Sequence, residues 1–144
     1  VGGWVEPGFR MSIGADREGV GEVLRGFADF AAVHALSDEV RRSVNVALDE
    51  LLANTVSYGL DATSGTATVA AAIANGRLVL TLTDNGREFD PFARAAPDTT
   101  LSVEHRQIGG LGIHLVKELM DEVSYRRDGD LNVVVLVKRL GARP

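Results

Sequence analysis

The chain has 144 residues, 45% of them hydrophobic, which fits one globular domain with a single core. Its formal net charge of −5 and scattered basic residues argue against direct nucleic-acid binding, which normally needs a basic stripe. No apolar run approaches the roughly 20 residues that span a bilayer, so we expect no membrane segment. The absence of cysteine excludes disulfides and is compatible with a cytoplasmic location.

The first part of the chain predicts one strand and two helices. Alternating apolar and polar residues predict a short strand at Phe9 to Ile13. Asp16 and Ser37 are good N-cap residues for two successive helices, and Gly59 is expected to end the second. The predicted apolar stripes are Val20, Leu24, Phe27, Ala28 and Ala31 in the first helix and Val40, Val44, Ala47, Leu48, Leu51 and Leu52 in the second.

The second part predicts four strands and one helix. Two strands near 66–74 and 78–83 are joined by Asn75-Gly76, a strong hairpin signal. A long segment from 84 to 110 has little periodicity, and loops of this length are usually functional or mobile. A helix follows Gly112, and two strands near 122–127 and 131–139 end the domain. The predicted apolar side of that helix consists of Leu115, Val116, Leu119 and Met120.

This order of elements predicts an α/β (α+β) two-layer sandwich, in which a mixed, mostly antiparallel sheet carries helices on one face. We expect an N-terminal extension at 1–8, one domain at 9–140 and a short tail at 141–144. Because the chain begins with Val1 rather than Met, it is either processed or a piece of a longer protein.

Glu50 and Asn54 form the first candidate site. They lie one turn apart on the predicted second helix and project from the same side, beside its apolar stripe. A carboxylate there can act as a general base toward a hydroxyl or water. The amide oxygen one turn away can ligate Mg²⁺, which prefers oxygen ligands. The alternative interpretation is an ordinary solvated helix face.

Two further segments are candidates for ligand contacts. Asp84 ends a predicted strand, where its carboxylate can accept a hydrogen bond from an exocyclic amine such as that of adenine. Gly86 would let the backbone approach a flat base, although Asp-Asn-Gly is also common turn chemistry. Gly109-Gly110-Leu111-Gly112 leads into a helix, and free N–H groups at a helix N-terminus suit phosphates. The glycines can equally form a hinge or tight turn, and they match neither the P-loop nor the dinucleotide fingerprint.

Together these segments resemble the N, G1 and G2 boxes of the GHKL (histidine-kinase-like) ATPase superfamily, and most of all its anti-sigma-factor serine kinase branch. Residues 47–54 (ALDELLAN) resemble the N box, and residues 84–91 (DNGREFDP) resemble the G1 box. Residues 109–123 resemble the G2 segment with its following helix, and residues 132–140 match the closing strand. The resemblance covers about 9–140.

The resemblance implies a Bergerat-type ATP-binding fold that binds ATP with Mg²⁺. Glu50 would be the catalytic carboxylate, and Asn54 would be the metal ligand. Asp84 would contact the adenine amine. Residues 92–108 would form the ATP lid. The full set implied to bind the cofactor is Asn54, Asp84, Gly86, Arg106, Gly110, Leu111 and Gly112.

The resemblance also implies what the protein does. Members of the branch phosphorylate a serine on an anti-sigma-factor antagonist domain and sequester a sigma factor, usually as homodimers. One alternative is a module that binds ATP and a partner without phosphotransfer, possibly one domain of a larger phosphatase or sensor protein. Another is the ATPase portion of a sensor histidine kinase, but no phospho-accepting histidine helix precedes the domain and the loop between G1 and G2 is short.

The sequence departs from the branch in three features, one of which is that the predicted lid is acidic near Asp98 and Glu104. Ser57-Tyr58 follows the N box where basic residues are often found, and Val135 stands where a threonine is common. These departures bear on phosphotransfer more than on nucleotide binding. His34, His105 and His114 lack metal-ligand spacing and are expected to be structural or surface residues.

Overall fold

A computed structural model describes residues 8–93 and 110–141. Its elements are β1 (Phe9–Gly14), α1 (Arg17–Val33), α2 (Asp38–Asn54), β2 (Thr66–Ala74), β3 (Arg77–Asp84), α3 (Gly110–Leu119), β4 (Glu122–Asp128) and β5 (Leu131–Arg139). The strands form one sheet in the order β1-β2-β3-β5-β4, and each neighbouring pair is antiparallel. This is the predicted two-layer α/β sandwich, with a sheet that is antiparallel rather than mixed throughout the described strands.

The first two helices begin at the predicted caps. The Asp16 carboxylate accepts a hydrogen bond from the Glu18 N–H at 2.8 Å, and the Ser37 hydroxyl accepts one from the Val40 N–H at 3.2 Å. The second helix differs from the prediction at its other end, because α-helical geometry stops at Asn54 and a π-helical turn follows from Thr55 to Gly59. Such turns inside or after α-helices are frequent at functional sites.

The helices pack on one face of the sheet, and α2 lies at the centre of the core. All six residues of its predicted stripe are buried. The stripes of the other two helices are partly wrong: Ala28 is exposed, and Leu115 is 43% exposed. Phe30 in α1 and Ile113 in α3 are buried in their place. Neighbouring positions of a broad apolar stripe differ little in sequence, so tertiary packing decides which of them faces inward.

The turn between β2 and β3 has the predicted chemistry. Asn75 and Gly76 both adopt positive φ angles, 55° and 73°, as a tight two-residue hairpin turn requires. The register that follows places Asp84 at the far end of β3, opposite Asn132 of β5. Within residues 8–93 and 110–141, no helix is both long and apolar enough to cross a membrane.

Candidate functional site

A cavity of about 320 Å³ lies between the α2 end of the helical layer and the adjoining strands β3 and β5. Its volume falls at the lower end of the usual range for small-molecule sites, about 300–1,000 Å³. The lining residues are Leu51, Asn54, Thr55, Tyr58, Gly59, Leu82, Asp84, Arg87, Phe89, Pro91, Ile113, Asn132 and Val134. Two of the predicted site residues, Asn54 and Asp84, therefore line a single cavity, although they are distant in sequence.

Asp84 provides an oriented acceptor on the sheet side of this cavity. Its Oδ1 atom accepts hydrogen bonds from the Gly86 N–H at 2.8 Å and from the Asn132 amide at 3.0 Å. Within the part of the chain that the structure describes, both of these bonds reach the same oxygen. Oδ2 is therefore left to accept a hydrogen bond from a donor in the cavity, such as an exocyclic amine.

Gly86 sits where no larger residue fits. A Cβ atom at this position would lie 2.5 Å from the carbonyl oxygen of Gly59, which is backbone and has little room to move. The next residue ties the same two segments together, since the Arg87 N–H donates to the Gly59 carbonyl at 3.2 Å and its Nε donates to the Tyr58 carbonyl at 3.1 Å. The π-helical turn thus positions the loop that follows β3.

Asn132 organises this wall, and the sequence analysis did not single it out. It is only 4% exposed. Its Nδ2 donates to Asp84 and, at 2.8 Å, to the Arg87 carbonyl. Its Oδ1 accepts from the Tyr125 hydroxyl at 2.6 Å and from Arg127 Nη1 at 3.1 Å. A polar residue beside the apolar run 133–137 was the available signal, because a buried amide needs partners.

Glu50 lies on the helical side, against the beginning of α3. A Cβ atom at Gly112 would overlap its carboxyl group and lie 2.7 Å from its Cγ atom, so a larger residue there would displace the carboxyl group from this position. Partial burial raises the pKa of Glu50 above its ordinary value, and the neighbouring Asp49 raises it further. A raised pKa makes a carboxylate a stronger base near neutral pH. Asn54, one turn further along, is the last α-helical residue and reaches the cavity.

The predicted phosphate segment begins its helix earlier than expected. Gly110, Leu111 and Gly112 already belong to the first turn of α3, so the helix starts three residues before the predicted position after Gly112. Arg106, His105 and the greater part of the predicted lid lie outside the described residues.

The structure shows where two of the departures from the family pattern, Val135 and Ser57, lie relative to the cavity. Val135 pairs with Thr81 and Ser124, on the sheet face opposite the helices, whereas Val134 lines the cavity. The concern about a missing hydroxyl at Val135 therefore does not apply to the cavity wall. Beside Ser57, a basic side chain is supplied from α1, because Arg17 Nη2 donates to the Ser57 hydroxyl at 3.3 Å.

No ready-made metal site is present within residues 8–93 and 110–141, where no group of three or more His, Asp or Glu residues is placed to hold an ion. Mg²⁺ bound by Asn54 would therefore need phosphate oxygens and water as its other ligands, which is typical of Mg²⁺-nucleotide sites. Two of the histidines have structural roles, as expected. His34 packs on Phe30 with 4.4 Å between ring centroids, and His114 pairs with Glu118 at 3.1 Å.

Comparison with known proteins defines the class. Residues 13–138 match the family described as histidine kinase-like ATPase domain. The chain is 31% identical over 117 residues to serine-protein kinase RsbW of Listeria monocytogenes, covering 78% of this chain and 73% of the relative. It is 26% identical over 129 residues to serine-protein kinase RsbW of Bacillus cereus, covering 87% and 81%. The chain therefore belongs to the histidine kinase-like ATPase domain family, and within it to the branch of serine-protein kinase RsbW.

Solved structures agree on the fold. A crystal structure of the RsbU and RsbW domains of a Mycobacterium tuberculosis protein superposes with a TM-score of 0.67 at 19% identity. The match covers 94% of this chain and 32% of that chain, so the present chain spans about a third of it. The histidine kinase AdeS of Acinetobacter baumannii superposes with a TM-score of 0.50 at 14% identity, covering 92% and 68%.

Family membership implies ATP binding, and the residues present fit ATP. Among the described residues no hydrogen bond reaches Asp84 Oδ2, so this oxygen suits an amine donor. Gly86 lies in backbone contact with the π-helical turn, so no side chain intrudes there on a flat base. The half-buried Glu50 and the amide of Asn54 provide oxygen atoms on the other wall, where a phosphate chain and its cation would lie.

Proposed function

We propose that this chain is a Mg-ATP-dependent serine kinase that phosphorylates a serine on an anti-sigma-factor antagonist domain. We further propose that it sequesters a sigma factor and acts as a cytoplasmic homodimer. The observation that carries the proposal is the placement of Glu50, a carboxylate of raised pKa packed against Gly112 and one turn from Asn54. The name serine-protein kinase, borne by relatives such as that of Listeria monocytogenes, supports serine as the acceptor.

The nucleotide would be held at both ends of the cavity. On the sheet wall, Asp84 Oδ2 accepts a hydrogen bond from the adenine amine, while Asn132 keeps the carboxylate in place. On the helical wall, Asn54 contributes an amide oxygen to Mg²⁺, which neutralises phosphate charge when bound. The N–H groups of the first turn of α3 provide a partial positive charge for the phosphates.

Glu50 would act on the acceptor. Its carboxylate accepts the proton of the serine hydroxyl as the serine oxygen bonds to the γ-phosphorus. The bond between that phosphorus and the bridging oxygen breaks, which releases ADP and leaves phosphoserine. Such transfer depends chiefly on positioning and charge neutralisation, so the close packing at Gly112 matters as much as the basicity of the carboxylate.

Phosphotransfer to a purified antagonist domain tests the proposal. Glu50→Gln keeps the size of the side chain but removes the base, so we expect transfer from labelled ATP to fall about 10²–10⁴-fold. ATP affinity measured by calorimetry should change by less than about threefold, because Glu50 does not line the base-binding part of the cavity. Glu39→Gln, an exposed change at the other end of α2, is the matched control and should leave both quantities unchanged.

Two results would contradict parts of the proposal. Tight ATP binding without any transfer by the unmodified chain would identify a binding module instead of a kinase. Equal transfer by the unmodified chain and Glu50→Gln would show that the base lies elsewhere. An antagonist whose candidate serine is replaced by alanine should carry no label.

A further inference from the structure

Three paired residues form a row across the end of the sheet beside the cavity. Asp84 of β3 pairs with Asn132 of β5, and Asn132 pairs with Arg127 of the edge strand β4. Neighbouring strands lie about 4.8 Å apart, so the cation and the anion of this row belong to strands roughly 10 Å apart. Hydrogen bonds through the Asn132 amide link the two charges.

A single nitrogen atom of Arg127 holds two groups that donate to Asp84. The Oδ1 atom of Asp84 accepts from the Gly86 N–H at 2.8 Å and from Asn132 Nδ2 at 3.0 Å. Arg127 Nη1 donates to the carbonyl of Gly86 at 2.9 Å and to Oδ1 of Asn132 at 3.1 Å. This nitrogen carries two N–H groups, so it can make both bonds at once. The guanidinium is itself held by its Nε atom, which donates to the Gly129 carbonyl at 3.2 Å.

The chemistry of the partners determines the direction of the Asn132 amide. A guanidinium only donates hydrogen bonds, and a backbone carbonyl such as that of Arg87 only accepts them. The amide oxygen must therefore face Arg127, and Nδ2 must face Arg87 and Asp84. In the reverse orientation, the amide oxygen would oppose the Asp84 carboxylate. Hydrogen bonds in such a chain polarise one another, so the guanidinium strengthens the bond that Asn132 donates to Asp84.

This arrangement restricts the rotation of the Asp84 carboxyl group. Because two donors hold Oδ1, Oδ2 stays available as an acceptor toward the cavity that Asp84 lines. The two common purines differ in the group that would meet this acceptor, since adenine carries an amine donor at position 6 and guanine carries an oxygen acceptor there.

We propose that Arg127 is a positioning residue for adenine selectivity, which holds the Asp84 carboxylate in place through Gly86 and Asn132. Arg127 is half-buried and is not among the residues that line the cavity, so it acts without touching the nucleotide. Its role rests on the proposed function in one respect, the contact between Asp84 and the adenine amine.

Nucleotide affinities measured by calorimetry in the presence of Mg²⁺ test this role. The probes are ATP and purine riboside triphosphate, which lacks the amine at position 6 but keeps the ring system, the ribose and the phosphates. The unmodified chain should bind ATP about 10–100-fold more tightly, because the analogue leaves the buried acceptor of Asp84 unpaired. In Arg127→Met, which removes both Nη1 bonds, this preference should fall at least about threefold. Affinity for the analogue should change by less than about threefold, which shows that the variant is folded.

Matched variants separate positioning from a general structural role. Arg126→Met makes the same exchange at the exposed neighbouring residue, whose side chain lies on the other face of the sheet, and should keep the preference for ATP. Arg127→Lys keeps a cationic donor on a stem of similar length and should retain more of the preference than Arg127→Met. Arg127→Gln, which is too short to reach both partners, gives the same comparison if the methionine variant is too unstable. A purely structural role would lower both affinities equally and leave their ratio unchanged.

The role of Arg127 and the proposed adenine contact fail separately. If the unmodified chain bound ATP and purine riboside triphosphate equally well, the contact assigned to Asp84 would be wrong, and the role of Arg127 with it. If the unmodified chain preferred ATP and Arg127→Met kept that preference to within about threefold, the contact would stand and the role of Arg127 would be overturned. Neither result depends on phosphotransfer.

Discussion

The two walls of the cavity are built in different ways. The sheet wall is a closed hydrogen-bonded network in which Asn132 contacts both Asp84 and the backbone of the loop that follows β3. On the helical wall, the position of Glu50 is set by packing against the backbone at Gly112, and partial burial keeps its pKa raised. In the proposed function, the sheet wall receives the adenine base, whereas the helical wall holds the proposed catalytic carboxylate, Glu50, in a partly desolvated environment.

The difference suggests a division of labour between stability and chemistry. Buried polar networks that are fully satisfied stiffen a structure, and breaking one partner is costly. A partly desolvated carboxylate lowers stability but improves a general base. We therefore expect changes on the sheet wall to affect folding and binding together, and changes on the helical wall to affect transfer with little loss of stability.

Gly86→Ala should have the largest effect on folding. The added Cβ atom would lie 2.5 Å from the Gly59 carbonyl oxygen, so the backbone of the loop or of the π-helical turn must shift. We expect the free energy of unfolding, measured in urea, to fall by about 3 kcal/mol and ATP affinity to fall at least about 30-fold. Gly21→Ala, a helical glycine whose nearest neighbour is a flexible arginine tip at 3.4 Å, should keep both. Unchanged stability in Gly86→Ala would refute the tight contact.

Asn132→Ala should have the second-largest effect on folding. It removes partners from Asp84, Tyr125 and Arg127 at once, and it leaves polar groups without hydrogen bonds in a buried position. We expect a loss of about 2–3 kcal/mol in the free energy of unfolding and a loss of about tenfold in ATP affinity. Asn132→Asp keeps the size of the side chain but replaces the donor beside Asp84 with an acceptor. Its free energy of unfolding should therefore be no higher than that of Asn132→Ala. A fully stable Asn132→Asp variant would show that this network does not hold the wall.

The sequence predicted the local features of the fold well because their causes are local. The caps at Asp16 and Ser37 and the turn at Asn75-Gly76 depend on neighbouring residues, and all three are confirmed. The stripe of α2 is also confirmed, because all six of its residues lie on the side of the helix that faces the core. The two-layer fold follows from the order of these elements.

What the sequence did not predict depends on long-range register. Asn132 meets Asp84 across 48 positions of the chain, and only the pairing of β3 with β5 brings them together. Val134 rather than Val135 lines the cavity because a shift of one residue along a strand changes the face. The contact between Glu50 and Gly112 likewise requires the packing of two helices that are far apart in sequence.

On the helical wall, Gly112→Ala should separate transfer from stability. The new Cβ atom takes the space of the Glu50 carboxyl group, whose flexible end can turn away at small cost. Alanine also favours the helix, so we expect the free energy of unfolding to change by less than about 1 kcal/mol. Phosphotransfer should fall by about 100-fold as the base is displaced. In a Glu50→Ala background, Gly112→Ala should have no further effect on transfer, and an additive loss would locate its action elsewhere.

The smallest expected effect is a gain in stability from Glu50→Gln. Burial raises the pKa of Glu50, so the folded chain binds this proton more tightly than the unfolded chain, whose value is near 4.5. As pH rises from about 4.5 through the folded pKa, the carboxylate ionises and folding loses free energy, and the loss is complete above that pKa. Glutamine carries no such penalty. The variant should therefore be more stable than the unmodified chain at pH 7, by less than about 1 kcal/mol because solvent still screens the half-buried group. The difference should disappear below pH 4.5, where both side chains are neutral.

Urea unfolding at pH 7 and below pH 4.5 measures this difference in the free energy of unfolding. If Glu50→Gln were less stable than the unmodified chain at pH 7, Glu50 would make favourable contacts as an anion, contrary to its raised pKa.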